Sequence, residues 1–480
     1  MYRLFLSLFF FLTTALFANQ TRTLSLEDAI FLAIRENPNV SGAEITHIIQ
    51  KYTVELEAWK FKPHYALSGT VTTTRNFSTT ENGFVTQNAT GADGSVSLLT
   101  PYGTQVTFSP SVNQDDHFHP GLSLEVSQPL LRGFGRPIVE AELYNALDNE
   151  KIGRLNLENV LRVTVTNVIN AYVDVISAQK KLEVDEDALK RALISVEQTK
   201  KFIQSGRKAG VELVTVEADA ASAEVNIEND KNALLSARFA VLGAIGLDPE
   251  SKIAFEKMNI PALIKKYYIP SLSQAKILAL ENDIQYQTDR LTLEGAKKRS
   301  LLQAKDNTRW KLDLSGSIST GKGAGGGQNS GLESIVNGVN QTSEIALKLT
   351  VPIDDRAAKV AFATAKMNLR QAEIALNQEK WAKETNIING WNSLFSARRA
   401  LRFAEDANTL QQKTYQISFQ KYAHGLIDSL QLQSAQQQLI NSESGLNVAR
   451  MSYLKTLVNV DLLMGHTLKT WNVKMRKDDI

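Results

Sequence analysis

The stretch from residue 137 to 205 most restricts what this chain can fold into. After Pro137 it contains no proline, and Leu161, Val165, Val168, Tyr172, Val175, Leu182, Leu189, Leu193, Val196 and Ile203 recur in alternating steps of four and three. Gln179, Glu186 and Lys200 fill the skipped places. This is a heptad seam, which a long helix uses to pack lengthwise against neighbours. At 1.5 Å per residue such a helix is a rod on the order of 100 Å long, which no compact domain accommodates. It ends in a glycine-bearing turn at 206–210.

The remaining composition narrows the choice. A chain of 480 residues, 43% hydrophobic and 22% charged, holds two or three ordinary domains or one elongated architecture. A formal net charge of +2 carries no nucleic-acid signature, and the absence of cysteine removes disulfides, thiolate metal sites and a cysteine nucleophile. Residues 1–18 combine a basic start, an apolar run at 4–12 and small residues at the end, and are expected to be a secretory signal peptide. No later segment supplies a spanning helix, so the exported chain is either soluble or carried in a membrane by strands closed into a barrel.

Helical patterning opens the mature chain, with Ser25 as N-cap, a break at Asn37-Pro38 and resumption to about residue 60. After Pro63 the period changes to two. Strands are expected at 64–75, 94–100, 104–110 and 121–131, with 76–90 as a polar segment containing the Asn82-Gly83 turn. In the last strand Leu122, Leu124 and Val126 alternate with Ser123, Glu125 and Ser127, as a strand between lipid and a watery lumen requires. Beyond the long helix, a second helix runs over 211–246.

The pattern then restarts. Leu26, Ala29 and Ala33 return as Leu272, Ala275 and Ala279, Leu67-Ser68-Gly69 as Leu314-Ser315-Gly316, and Gly210 with Ala220 as Gly425 with Ala435. Two structural repeats are therefore expected at 19–246 and 271–465, joined by a connector at 247–270 and followed by a tail at 466–480. The second long helix, at 356–422, has a looser seam through Trp391, Leu394, Leu401, Leu410 and Ile417. The shorter helices have about half its length, so two placed end to end match one long one, with the connector and tail as a belt at mid-height.

These motifs, over essentially the whole mature chain, resemble the TolC family of outer-membrane efflux and secretion proteins. The most specific are the 26–38 opening, Gln128 to Gly135 before the long helix, and the segments 210–220 and 425–435. The resemblance implies a mainly α fold with a transmembrane β part: a homotrimeric outer-membrane β-barrel continuous with a long periplasmic coiled-coil α-barrel. It implies four strands per protomer; the pair around Pro101-Tyr102-Gly103 either joins the barrel or forms a separate hairpin. It also implies an exit duct, without cofactor, metal or catalysis, for a tripartite efflux or type I secretion system. Its partners would be a periplasmic adaptor, an inner-membrane pump and outer-membrane lipid, with no nucleic acid. A periplasmic coiled-coil scaffold without channel activity is the alternative, but it has no need of strands at matching places in both halves.

In the family, the periplasmic gate is closed by links near the second tip and by aspartate rings. Carried over from Gly425, the gate tyrosine is Tyr422, the arginine position holds Ile427, and the aspartate positions hold Gln431 and Ser434. At the first tip a threonine matches Thr215, and Val216 replaces the acidic partner. The charge pairs of the family gate are thus missing, leaving Asp428 and Glu212 as local carboxylates. Repeated around a pore they would favour hydrated cations, with Asp428 the better candidate. Arg207, Lys208, Gly210, Val211, Gly425, Leu426 and Ile427 are expected to face an adaptor. Gly321, Gly323 and Gly326 spell GxGxxG, but no helix opens at the third glycine, so a loop is expected rather than a phosphate cradle. Asp115, Asp116, His117 and His119 are read as a polar loop rather than a metal site, and His424 as a solvated turn residue.

Overall fold

The computed structural model describes residues 22–473 except 79, 81, 115–117, 322–332, 337, 339 and 340. The expected signal peptide, Asp115, Asp116, His117, Gly323, Gly326 and the chain beyond 473 lie outside the described residues. The chain divides into two units. One comprises the residues up to Ile45, Asn156–Ile284 and those from Glu379 onward; the other comprises Thr46–Leu155 and Gln285–Gln378.

The first unit is helical. It contains β1 (Arg22–Leu24), α1 (Leu26–Glu36), most of the long helix that begins at Ala141, and α5 (Val211–Ile245). After α5 come β6 (Ile253–Phe255), α6 (Ile260–Lys266) and α7 (Leu272–Asn282). Both α1 and α7 start on serine caps: Ser25 accepts from the Asp28 N–H, and Ser271 forms a reciprocal capping box with Gln274. The core gathers Ala29, Ile30 and Ala33 of α1, Val165, Val168, Ile169 and Tyr172 of the long helix, and Val241, Leu242 and Ile245 of α5. Each such aliphatic side chain stabilises by about 1.5–3 kcal/mol on burial.

The connector at 247–270 contains a strand and a helix. β6 pairs in parallel with β1. The Tyr172 hydroxyl, at 3.0 Å from the Leu24 carbonyl and 2.9 Å from that of Glu256, seals this two-stranded ribbon onto the helices. Burial pushes the Tyr172 phenol up to about 12, so it stays a neutral donor.

The second unit contains most of α2 (Pro38–Trp59), a sheet, and the helices beside it. Four strands follow α2: β2 (His64–Ser78), β3 (Gly83–Leu99), β4 (Gln105–Gln114) and β5 (Phe118–Pro129). The short α3 (Arg136–Val139) leads into the long helix α4 (Ala141–Gln204), whose first turns belong to this unit. After α7 come α8 (Ile284–Thr292), a π-helical turn at Leu293–Lys297, and α9 (Lys298–Asp306). β7 (Lys311–Thr320), the short α10 (Glu333–Val336) and β8 (Thr342–Thr350) lead to the second long helix, α11 (Arg356–Ala423). Arg299 of α9 bonds Asn145 and pairs with Asp148 on α4, while His47 of α2 meets Glu150 at 2.9 Å.

All six strands β2–β5, β7 and β8 join one antiparallel sheet in the order β2-β3-β4-β5-β7-β8. The pair flanking Pro101 is therefore not a separate hairpin. β3 starts eleven residues earlier than the sequence suggested, at Gly83 rather than 94. Over residues 86–93 polar and small residues fall on both faces (Thr86, Asn88 and Thr90 on one, Gln87, Gly91 and Asp93 on the other), which hid a strand within a polar stretch. Asn82, with φ of 50°, makes the expected turn.

Candidate functional site at the two helix tips

Beyond α11 the chain turns into α12 (Ser429–Leu463), which is followed by a single helical turn, α13 (Thr467–Thr470). The turns from α4 to α5 and from α11 to α12 end their long helices in the same way. Gly206 and Gly425 both have φ of 73°. The Gly206 and Arg207 amides donate to the Ile203 and Phe202 carbonyls at 2.9 and 2.8 Å. The Gly425 and Leu426 amides donate to Tyr422 and Lys421 at 2.8 and 2.9 Å. Each is a left-handed C-cap that satisfies the last carbonyls, a conformation open to glycine at little cost. The partner of Gly425 is thus Gly206 and not Gly210, which sits in the right-handed helical region as the N-cap of α5. The first turn has three residues between glycine and N-cap, and the second has two.

That extra residue allows Lys208 to fold inward. Its side chain, expected to be exposed, is only 8% accessible. Its ammonium lies 4.1 Å from the centre of the Tyr422 ring, 2.7 Å from the Glu212 carboxylate and 3.5 Å from the Ile427 carbonyl. One cation thereby ties the first turn to the second through the Tyr422 ring and the Ile427 carbonyl, while its ion pair with Glu212 stays within the first tip.

Tyr422 is fully buried. Phe202 meets its ring edge-on at 5.9 Å between centres, and its hydroxyl lies 2.5 Å from Thr199 Oγ1. Thr199 donates its one proton to the Ser195 carbonyl at 2.7 Å, so Tyr422 is the donor to Thr199. The expected gate tyrosine thus bonds within its own chain, to a threonine that sequence reasoning missed. Thr199 is buried on the long helix although it falls between seam positions.

Glu212 is likewise committed. Burial alone would raise its carboxyl, but hydrogen bonds from Lys208 and Ser429 outweigh this and hold it below the usual carboxylate range. It is not a free pore carboxylate in this chain. Asp428 is exposed and caps α12, its carboxylate accepting from the Gln431 N–H at 2.7 Å. Gln431 and Ser434 are exposed, Thr215 is half-buried and Val216 is buried. Of the expected adaptor-facing residues, Arg207, Gly210, Val211, Gly425 and Leu426 are exposed, and Ile427 is half-buried. Val211 and Leu426, each more than 70% exposed, are joined by Val214 and Leu430 as large apolar side chains on the tip surface.

Below the tips, α4 meets α5 through Ala192, Val196, Val216 and Ala220. Polar groups fix α12 alongside: Gln436 donates to the Ala188 carbonyl, Asn447 to that of Ser177, and Arg191 pairs with Glu443 at 3.2 Å. Here the seam departs from its heptad course. Leu193 is about half exposed, while Val184, Ala188 and Ala192 are buried. The small side chains admit close helix approach on a face rotated from the leucines.

No family model and no curated protein matches the chain. Solved structures do. CusC, described as forming a transmembrane channel, aligns at a TM-score of 0.71 over 94% of this chain and 95% of its own, with 15% identity. VceC, an outer membrane protein of Vibrio cholerae, gives 0.69 over 92% and 96%, with 14% identity. The Neisseria gonorrhoeae MtrE outer membrane channel, in its open state, gives 0.66 over 92% and 88%, with 16% identity. The fold is that of the outer-membrane channels. It is the TolC fold expected from the sequence, with six strands where that fold implies four.

Proposed function

We propose that the protein is the outer-membrane exit duct of a tripartite efflux system, a homotrimer with strands in the outer membrane and helices in the periplasm. The observation that carries this reading is the extent of the likeness to CusC. It spans 94% of this chain and 95% of the other, more than one helix or one strand pair alone could supply. The duct conducts passively and performs no catalysis; an inner-membrane pump supplies the energy. A periplasmic adaptor docks on the apolar side chains at the tips, Val211, Val214, Leu426 and Leu430. Among the described residues no helix is long and apolar enough to cross a membrane, which leaves insertion to the sheet.

Lys208, Tyr422 and Thr199 hold the two turns of one protomer together, so opening moves them as a unit. Asp428 lines the entrance and gives it a weak cation preference. Extraction from outer membranes, the mass of the detergent complex and conductance in planar bilayers test the reading. A detergent-dependent trimer with discrete conductance steps is expected. A freely soluble species without conductance would instead indicate the scaffold.

A further inference from the structure

The six-stranded sheet has one apolar and one polar face along its whole width. Across it, Val96 stands opposite Phe108, Phe108 opposite Leu124, and Leu124 opposite Ile318. On the other face Thr107 stands opposite Glu125, Glu125 opposite Ser317, and Ser317 opposite Glu344. β3 and β4 share this division with the outer strands, as they must if they too separate lipid from water.

The strand ends next to the helices are staggered. The register leads from His64 through Ser97, Thr107, Glu125 and Ser317 to Glu344, which is six residues short of the end of β8 at Thr350. In between, β5 ends four residues beyond this line, at Pro129. The sheet therefore shifts by about one residue per strand. With a rise of ~3.4 Å and a strand spacing of ~4.8 Å, this is a tilt of ~35°, within the 35–45° of membrane barrels.

Both edges are open. β2 and β8 each pair on one side only, and because the count is even they run antiparallel to each other. Leu67 and Ile345 at the two edges are more than 80% exposed and belong to the apolar face. An unpaired edge cannot remain in lipid, and six strands are too few to close on themselves.

We infer that β8 of one copy pairs with β2 of the next and that all six strands enter the wall, giving an eighteen-stranded barrel in the trimer. This rests on the trimeric duct proposed above, and departs from the four strands per copy implied by the fold. Barrel diameter grows roughly linearly with strand number, so the mouth is about 1.5-fold wider than that of a twelve-stranded wall, in the range where porins hold an open aqueous channel. Facing residues must share a face, so the seam sets Ser68 opposite Ala346 or, shifted by two, opposite Lys348. The shifted register raises the tilt only to ~43°, still within the range.

Electron cryomicroscopy of the full protein in lipid nanodiscs counts the strands. Eighteen around a threefold axis is the expected result, and twelve, with β3 and β4 outside the wall, overturns the inference. A particle without threefold symmetry instead overturns the trimer beneath it. Because the chain has no cysteine, the double variants Ser68→Cys/Ala346→Cys and Ser68→Cys/Lys348→Cys report the seam alone. Disulfide-linked trimers are expected in one of them, and their absence from both contradicts the β8-to-β2 seam. Phe108→Arg, on the apolar face of β4, should lower the yield of inserted trimer at least tenfold, while Ser109→Arg, one residue along, leaves it near wild type. Equal yields would place β4 outside the lipid.

Discussion

The two long helices are nearly equal in length, 64 and 68 residues, but are buried very differently. α4 buries a continuous series from Leu161 through Tyr172 and Ile176 to Ala188, Ala192 and Val196. α11 buries only Ile387, Trp391, Leu394 and Tyr422. Its sequence is not short of apolar residues. Val360, Met367, Ile374 and Trp381 follow at strict seven-residue steps, as do Phe403, Leu410 and Ile417 after a one-residue shift, and all are exposed. A strict seven-residue stripe fits a left-handed supercoil with a partner helix. α4 finds its partners within the chain along most of its length, whereas α11 buries side chains only at Ile387, Trp391 and Leu394 in the core and at Tyr422, and leaves its seven-residue stripe exposed. The difference indicates which surface the proposed trimer uses.

This contrast can be broken at either helix. Tyr172→Ala should be the most costly change, at about 3–5 kcal/mol, because it leaves a cavity and removes the single hydroxyl donor shared by the Leu24 and Glu256 carbonyls; chemical unfolding measures it. A second cost lies near the end of α12. Asp461 is 2% exposed, and burial raises its carboxyl to about 6 despite a hydrogen bond from Thr470. The folded chain therefore holds this proton more tightly than the unfolded chain. The stabilisation is fully present below about pH 4 and is lost as the pH rises through 6, amounting to up to ~3 kcal/mol at pH 7. Asp461→Asn should remove that dependence and raise the melting temperature at pH 7 while changing it little at pH 4.

Smaller effects are expected at the tips. Thr199→Val leaves the Tyr422 hydroxyl buried without an acceptor and should cost ~1–3 kcal/mol, measured by chemical unfolding. Asp428→Asn keeps the N-cap and removes the charge. The cation preference should fall while stability changes by no more than a few tenths of a kcal/mol, and unchanged ion selectivity would place Asp428 away from the pore.

The sequence disclosed the long helices because a seam sustained over six heptads, from Leu161 to Ile203, cannot arise from short elements. It disclosed β5 because leucine alternates with serine there. β3 was half hidden because over residues 86–93 both of its faces carry polar or small residues, so no alternation shows. β1 and β6, at three residues each, are too short to show a period. The second tip was found through Tyr422 and Gly425. The first tip was misregistered because Gly206 and Gly210 both punctuate it, and only backbone conformation shows which one ends the helix. The inward fold of Lys208 was not legible at all. It depends on a ring more than two hundred residues away in sequence, and an exposed lysine is the ordinary expectation for a turn.

The most direct test pairs the exposed stripe of α11 with the buried face of α4. In a Trp381→Ala/Leu410→Ala variant, unfolding of the dissociated chain should shift by no more than about 0.5 kcal/mol, the usual effect of surface substitutions. The mass of the detergent complex should fall from trimer toward monomer. A variant that stays trimeric, or a wild-type chain that is monomeric in detergent, would contradict the account.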